Sequence, residues 1–208
     1  MPVTDFFALL NEPRRPWINP DSLKEKFLAL SGDLHPDRVH NAAEPEKQEA
    51  GQRYAELNSA FTTLADPKSR LQHLLELERG GSLPKIQSVP SNLMDDFMRI
   101  GELLRQIDRF LMERDQVTSP MVKVQMFARG QEWTDKISDW QKVLNEARDK
   151  LLIRLEAMNP LWNSAPATGS PGRMAALPMA ELEAIYQVFG FLAKWQNELR
   201  ERMVRLAF

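Results

Sequence analysis

The chain has no cysteine. This excludes disulfides, thiolate nucleophiles and cysteine-ligated zinc or iron–sulfur clusters within the polypeptide. Glycine is scarce, at 9 of 208 residues, and no glycine-rich phosphate loop is present. The three histidines, His35, His40 and His73, are scattered without ligand spacing, so no metal site is expected. No apolar run approaches the ~20 residues that span a bilayer. Neither sign of charge prevails: 27 bases face 29 acids, a formal charge of -2. Such a balance gives no general attraction to nucleic acid or an anionic membrane. Strand alternation, internal repeats and sustained low-complexity tracts are also missing. Residues 1–10 carry no basic leader followed by a long apolar stretch, so no signal peptide is expected and the reading is cytoplasmic.

What the chain does have is helix signal. The hydrophobic fraction is 43%, ample for a core, and Leu, Glu, Lys, Arg and Gln favour helix. Asp5 to Leu10 makes about two turns, ended by Pro13 and Pro16. Asn19-Pro20 pairs a capping side chain with a proline suited to the first helical position. Leu23, Phe27, Leu30 and Leu34 then form one stripe, and Pro36 stops the helix. A second helix opens near Glu44-Pro45 and carries Tyr54, Leu57, Phe61 and Leu64. The two helices predict an antiparallel hairpin, with the break Leu34-His35-Pro36-Asp37-Arg38 at its exposed end. Asp66-Pro67 starts a further helix, which Gly80-Gly81 ends.

Residues 80–91 read as a linker. Beyond it, Leu93, Phe97, Ile100, Leu104, Ile107 and Leu111 form a stripe. Ser119-Pro120 opens a long helix, with Gly130 a plausible bend and Asn159-Pro160 its end. Residues 159–178 are rich in proline and glycine and are expected to be a long mobile loop. The last helix covers about Met179 to Phe208. The expected fold is all-α: an amino-terminal domain over 1–79 with short helices flanking the hairpin, a linker over 80–91, and an antiparallel three-helix bundle over 92–208.

Over residues 5–77 the sequence resembles a J-domain, the module of DnaJ-type co-chaperones. The likeness rests on Asp5-Phe6-Phe7, on His35-Pro36-Asp37-Arg38, on the helix Asn58-Ser59-Ala60-Phe61-Thr62-Thr63-Leu64, and on Asp66-Pro67 with Arg70. Arg70-Leu71-Gln72-His73-Leu74-Leu75 before Gly80 resembles the HscB branch of that family. So does a helical carboxy-terminal region bearing Leu93-Met94 and Phe191-Leu192 with Lys194.

The resemblance implies a non-enzymatic partner protein, without cofactor or catalytic residue. It implies stimulation of ATP hydrolysis by a DnaK/HscA-type chaperone and delivery of an iron–sulfur scaffold protein to it. His35, Pro36, Asp37 and Arg38, with Lys24 and Lys26, are then the chaperone-binding candidates. Leu93, Met94, Phe97 and Phe191 are the client-binding candidates, flanked by Asp95, Asp96 and Glu102. Val188, Phe191 and Trp195 form a second stripe on the last helix, which reads either as a wide buried face or as an exposed patch. A monomer is expected. Two alternatives stay open: an adaptor for a different client, or a structural helical protein whose J-domain is inactive.

Overall fold

The computed structural model describes residues 4–32, 43–83 and 89–207. Every element among them is helical. They are α1 (Phe6–Leu9), α2 (Pro20–Gly32), α3 (Glu44–Ala65), α4 (Pro67–Arg79), a 3-10 turn (Ser91–Leu93), α5 (Met94–Gln116), α6 (Pro120–Ser164), α7 (Arg173–Ala176) and α8 (Met179–Ala207). The chain is all-α.

The helix starts follow from capping. The Asp5 carboxylate accepts from the N–H groups of Phe7 and Ala8, and the Asn19 side-chain oxygen accepts from those of Asp21 and Ser22. Asp66 accepts from Ser69. Each side chain satisfies backbone donors that have no partner within their helix. Gly80 ends α4 at φ 71°, a left-handed angle that suits a residue without Cβ.

The described residues of 1–85 and 152–186 form one compact unit, and those of 86–151 and 187–208 form a second. In the first, Phe27 of α2 stacks on Phe61 of α3 with ring centroids 4.5 Å apart. Phe7, Leu10, Leu64, Leu71, Leu74 and Leu75 are fully buried. In the second, Ile107, Leu111, Ile137 and Leu199 are fully buried in one apolar cluster drawn from α5, α6 and α8. Phe110 faces Trp133, and Glu113 pairs with Arg129, so α5 and α6 run antiparallel. Asp108 pairs with Arg202, and Arg114 donates to the carbonyl of Arg205, so α5 and α8 run parallel. This is an up-down-up bundle.

Two sequence expectations fail between 159 and 186. The long helix does not end at Asn159-Pro160. It continues to Ser164 with Pro160 inside it, past Gly130 without interruption. Residues 159–178 are not a featureless loop either, because they include the end of α6 and all of α7. Packing accounts for both. Met158 and Trp162 are buried on either side of the proline, and the Asn159 side chain accepts from the Trp17 N–H at 3.1 Å while donating to the Trp17 carbonyl at 3.0 Å. Proline costs an interior helix a hydrogen bond, and these contacts outweigh that loss. In the compact grouping, residues 152–186 pack with the amino-terminal helices.

Candidate functional site

His35, Pro36, Asp37 and Arg38 lie outside the described residues. Within the described residues of the amino-terminal unit, three polar groups tie the helices and loop together: a stacked histidine, a buried arginine and a buried acid. The Phe6 N–H donates to His73 Nε2 at 3.1 Å. The rings of Phe6 and Phe7 stack on that imidazole. Burial holds the His73 pKa below its ordinary value, against the nearby carboxylates of Asp5 and Glu76, which raise it. A neutral imidazole with a free Nε2 lone pair is the form that can accept the Phe6 bond. Arg70 is buried. Its guanidinium donates to the carbonyl of Pro16 at 2.9 Å and to that of Leu64 at 2.6 Å.

Glu12 was not anticipated. Its side chain is wholly buried, yet it carries two ion pairs at 2.8 Å, to Arg15 and to Lys26. Lys26 also donates to the Asn11 carbonyl. One of the candidate chaperone-facing lysines therefore fastens the amino-terminal loop to α2. Lys24 is exposed and makes no ion pair with a described residue. Arg14 is likewise committed, to Asp5. A glutamate before proline in a loop reads as solvent-exposed, so no sequence signal marked Glu12.

The client-binding candidates divide. Met94 and Phe97 are 44% and 38% exposed, and Met98 beside them is 59% exposed. Leu93 instead belongs to the buried cluster, at 8%. Phe191 is half-buried against the same cluster and tilts onto Trp195 with centroids 5.9 Å apart. Trp195 is buried, so the second stripe of α8 is mostly a wide buried face. The exposed surface is the first turn of α5, where Met94, Phe97 and Met98 sit beside Asp95 and Asp96. Glu102, farther along α5, accepts from Arg105 and Gln106, and those bonds hold its carboxyl below the usual pKa.

Fold and surfaces define a class: an all-helical protein with a unit of short helices, a His-Pro-Asp sequence between its second and third helices, and a bundle with an exposed apolar turn. Comparison with known proteins narrows it. No family model matches the chain. A co-chaperone protein HscB homolog from Azoarcus sp. is 38% identical over 73 residues, which is 35% of this chain and 41% of that protein. An iron-sulfur cluster co-chaperone protein HscB homolog from Arabidopsis thaliana is 24% identical over 132 residues, 63% of this chain and 50% of that one. The chain thus spans half or less of the length of these curated relatives. Among solved structures, the chaperone HscB from Vibrio cholerae shares the fold with a TM-score of 0.54 at 23% identity, over 95% of this chain and 96% of that one. The chain is thus similar in sequence to HscB co-chaperones over about a third of its length, and it shares the fold of a solved HscB.

Proposed function

We propose that this chain is a co-chaperone of the HscB kind. It stimulates ATP hydrolysis by a DnaK/HscA-type chaperone and brings an iron–sulfur scaffold protein to it, as a cytoplasmic monomer. The 38% identity over 73 residues to a curated HscB homolog carries this reading. The chain breaks no bond itself; the partner's ATPase does.

His35-Pro36-Asp37-Arg38 is the chaperone contact. The Asp37 carboxylate meets an arginine of the partner, a pairing that can be bidentate and about twice as strong as a neutral hydrogen bond. Pro36 fixes one backbone angle, so less entropy is lost on docking. Lys24 adds positive potential on α2. Lys26 adds less, because buried Glu12 pairs with it; weaker steering lowers the association rate more than it weakens the docked contacts.

The client meets the first turn of α5. Met94 and Phe97 offer a flexible thioether and an aromatic anchor, side chains suited to gripping a peptide. Phe191 contributes its open edge, and Leu93 supports the turn from inside.

The test is ATP turnover by a DnaK-type chaperone with and without the chain. Acceleration by the wild type and none by Asp37→Asn is expected. Equal turnover with either protein would end the co-chaperone reading. Retention of the scaffold protein by the wild type, weakened by Phe97→Ala, is the expected client result; no retention by the wild type would point to a different client.

A further inference from the structure

Three of the four most exposed large apolar side chains among the described residues cluster away from the α5 turn. Met121, Val124 and Phe127 are 76%, 72% and 67% exposed, on the opening turns of α6. Their spacing of three keeps them on neighbouring faces of those turns. Beside them lies a cavity of about 360 Å³, within the range of cavities that hold ligands. Phe110, Val117, Met126 and Phe127 are among its apolar walls; of its three charged side chains, Arg114 and Asp115 pair with each other at 3.2 Å, which leaves the third, Lys123, as the net charge. Along α5, Met94 and Arg114 are about 30 Å apart at 1.5 Å per residue, so this is a separate surface from the proposed client turn.

We propose that the opening turns of α6 and this cavity dock an acidic, apolar peptide segment of a partner protein. Charge argues for the acid. Residues 116–131 hold no Asp or Glu but include Lys123 and Arg129, although acids are 29 of the 208 residues overall. Lys123 makes no ion pair with a described residue, while Arg129 is shared between Glu113 at 3.6 Å and the Phe110 ring at 5.3 Å. A carboxylate arriving here meets an ammonium that no described carboxylate pairs with. Shape and area argue for a peptide. The cavity offers concave room for an inserted side chain, which a membrane surface does not need. Three exposed side chains make a patch on the order of a few hundred Å². A stable dimer typically takes ~800 Å² from each partner, so a short segment fits better than a second copy.

Peptide-display selection on the full chain tests this, followed by fluorescence titration of the enriched peptides. Enriched sequences should combine acids with Leu, Ile or Phe. Their affinity should fall about tenfold or more in Val124→Ser/Phe127→Ser and in Lys123→Glu, and stay unchanged in Phe97→Ser. No enrichment, enriched sequences without acids, or indifference to these substitutions would overturn the proposal. Phosphatidylserine-containing vesicles and sedimentation run alongside. Vesicle binding lost in the double variant would make this a membrane face, and a dimer lost in it would make this a self-association face; either overturns the peptide reading.

Discussion

The two compact units close by different chemistry. The first uses directed polar contacts. Arg70 serves two backbone carbonyls, Asn159 pairs both ways with the Trp17 backbone, and Arg79 pairs with Glu183. Arg173 grips Glu78 with two bonds of 2.7 Å and donates a third to the Pro166 carbonyl. The second unit relies on a continuous apolar cluster. Its ion pairs, such as Arg202 with Asp108 and Arg129 with Glu113, remain partly or largely exposed. Element length explains the contrast. Long helices satisfy most of their own backbone groups and present a full stripe. Short helices and loops leave carbonyls such as those of Pro16 and Leu64 needing donors, and a buried carbonyl left without one costs about 1–3 kcal/mol.

The contrast is sharpest under substitution. Ile107→Ala in the second unit should cost about 2–5 kcal/mol, from lost burial and the cavity left behind. Arg173→Met in the first should cost about 3 kcal/mol, the low end for a broken buried pair, because 9% of the Arg173 side chain still reaches solvent. The two losses should differ in how they are repaired. Arg173→Met combined with Glu78→Met should recover most of the stability, since the buried Glu78 charge no longer lacks a partner. Hydrogen exchange resolved by segment measures both. A double variant as unstable as Arg173→Met alone would contradict the polar account of the first unit.

A pH scan separates the units by slope. Burial lowers the His73 pKa from its ordinary 6.5. Between the folded value and 6.5 the unfolded chain therefore binds more protons than the folded one. Stability of the first unit should fall as pH drops below 6.5 and should stop falling from this cause once the folded value is passed. Asp5, Glu76 and Arg14 face the imidazole and modulate the size of the effect. His73→Gln keeps an acceptor for the Phe6 N–H without the titration, so its protection should lack this component. Identical slopes in both proteins would remove His73 as the cause. The second unit contains no histidine, so this step should be missing from its exchange profile.

The same contrast governs what could be read from sequence. The α2 and α3 stripes, the Asn19 and Asp66 caps and the bundle helices were legible, because periodicity and capping act within a few residues. The polar stitching was not. Arg173 sits in a proline- and glycine-rich stretch with no periodicity, and its partner Glu78 is 95 residues away. Pro160 reads locally as a stop, and only the buried Trp162 and the Trp17 backbone reverse that reading. Leu93 and Phe97 occupy the same stripe, yet one is buried and the other exposed. A stripe gives the direction of a face but not where the neighbouring helix stops covering it. Lys26 looked like a surface base because nothing nearby in sequence announces a buried Glu12.

The smallest expected effect tests whether burial, and not charge pairing as such, distinguishes the first unit. Arg53 and Glu49 form an i,i+4 pair on α3 at 2.6 Å, shorter than the contacts of Arg173. If proximity alone set the energy, Arg53→Ala would cost at least as much as Arg173→Met. Both side chains are more than 60% exposed, however. Water screens their attraction, and holding two long side chains in one geometry costs entropy. Exposed helix pairs of this kind contribute about 0.3–0.5 kcal/mol, so Arg53→Ala should change stability by no more than that, with alanine's helix propensity offsetting part of it. Urea denaturation at low and high salt measures this directly. A loss above about 1 kcal/mol would mean that Arg53 has a role in the hairpin beyond its pair with Glu49.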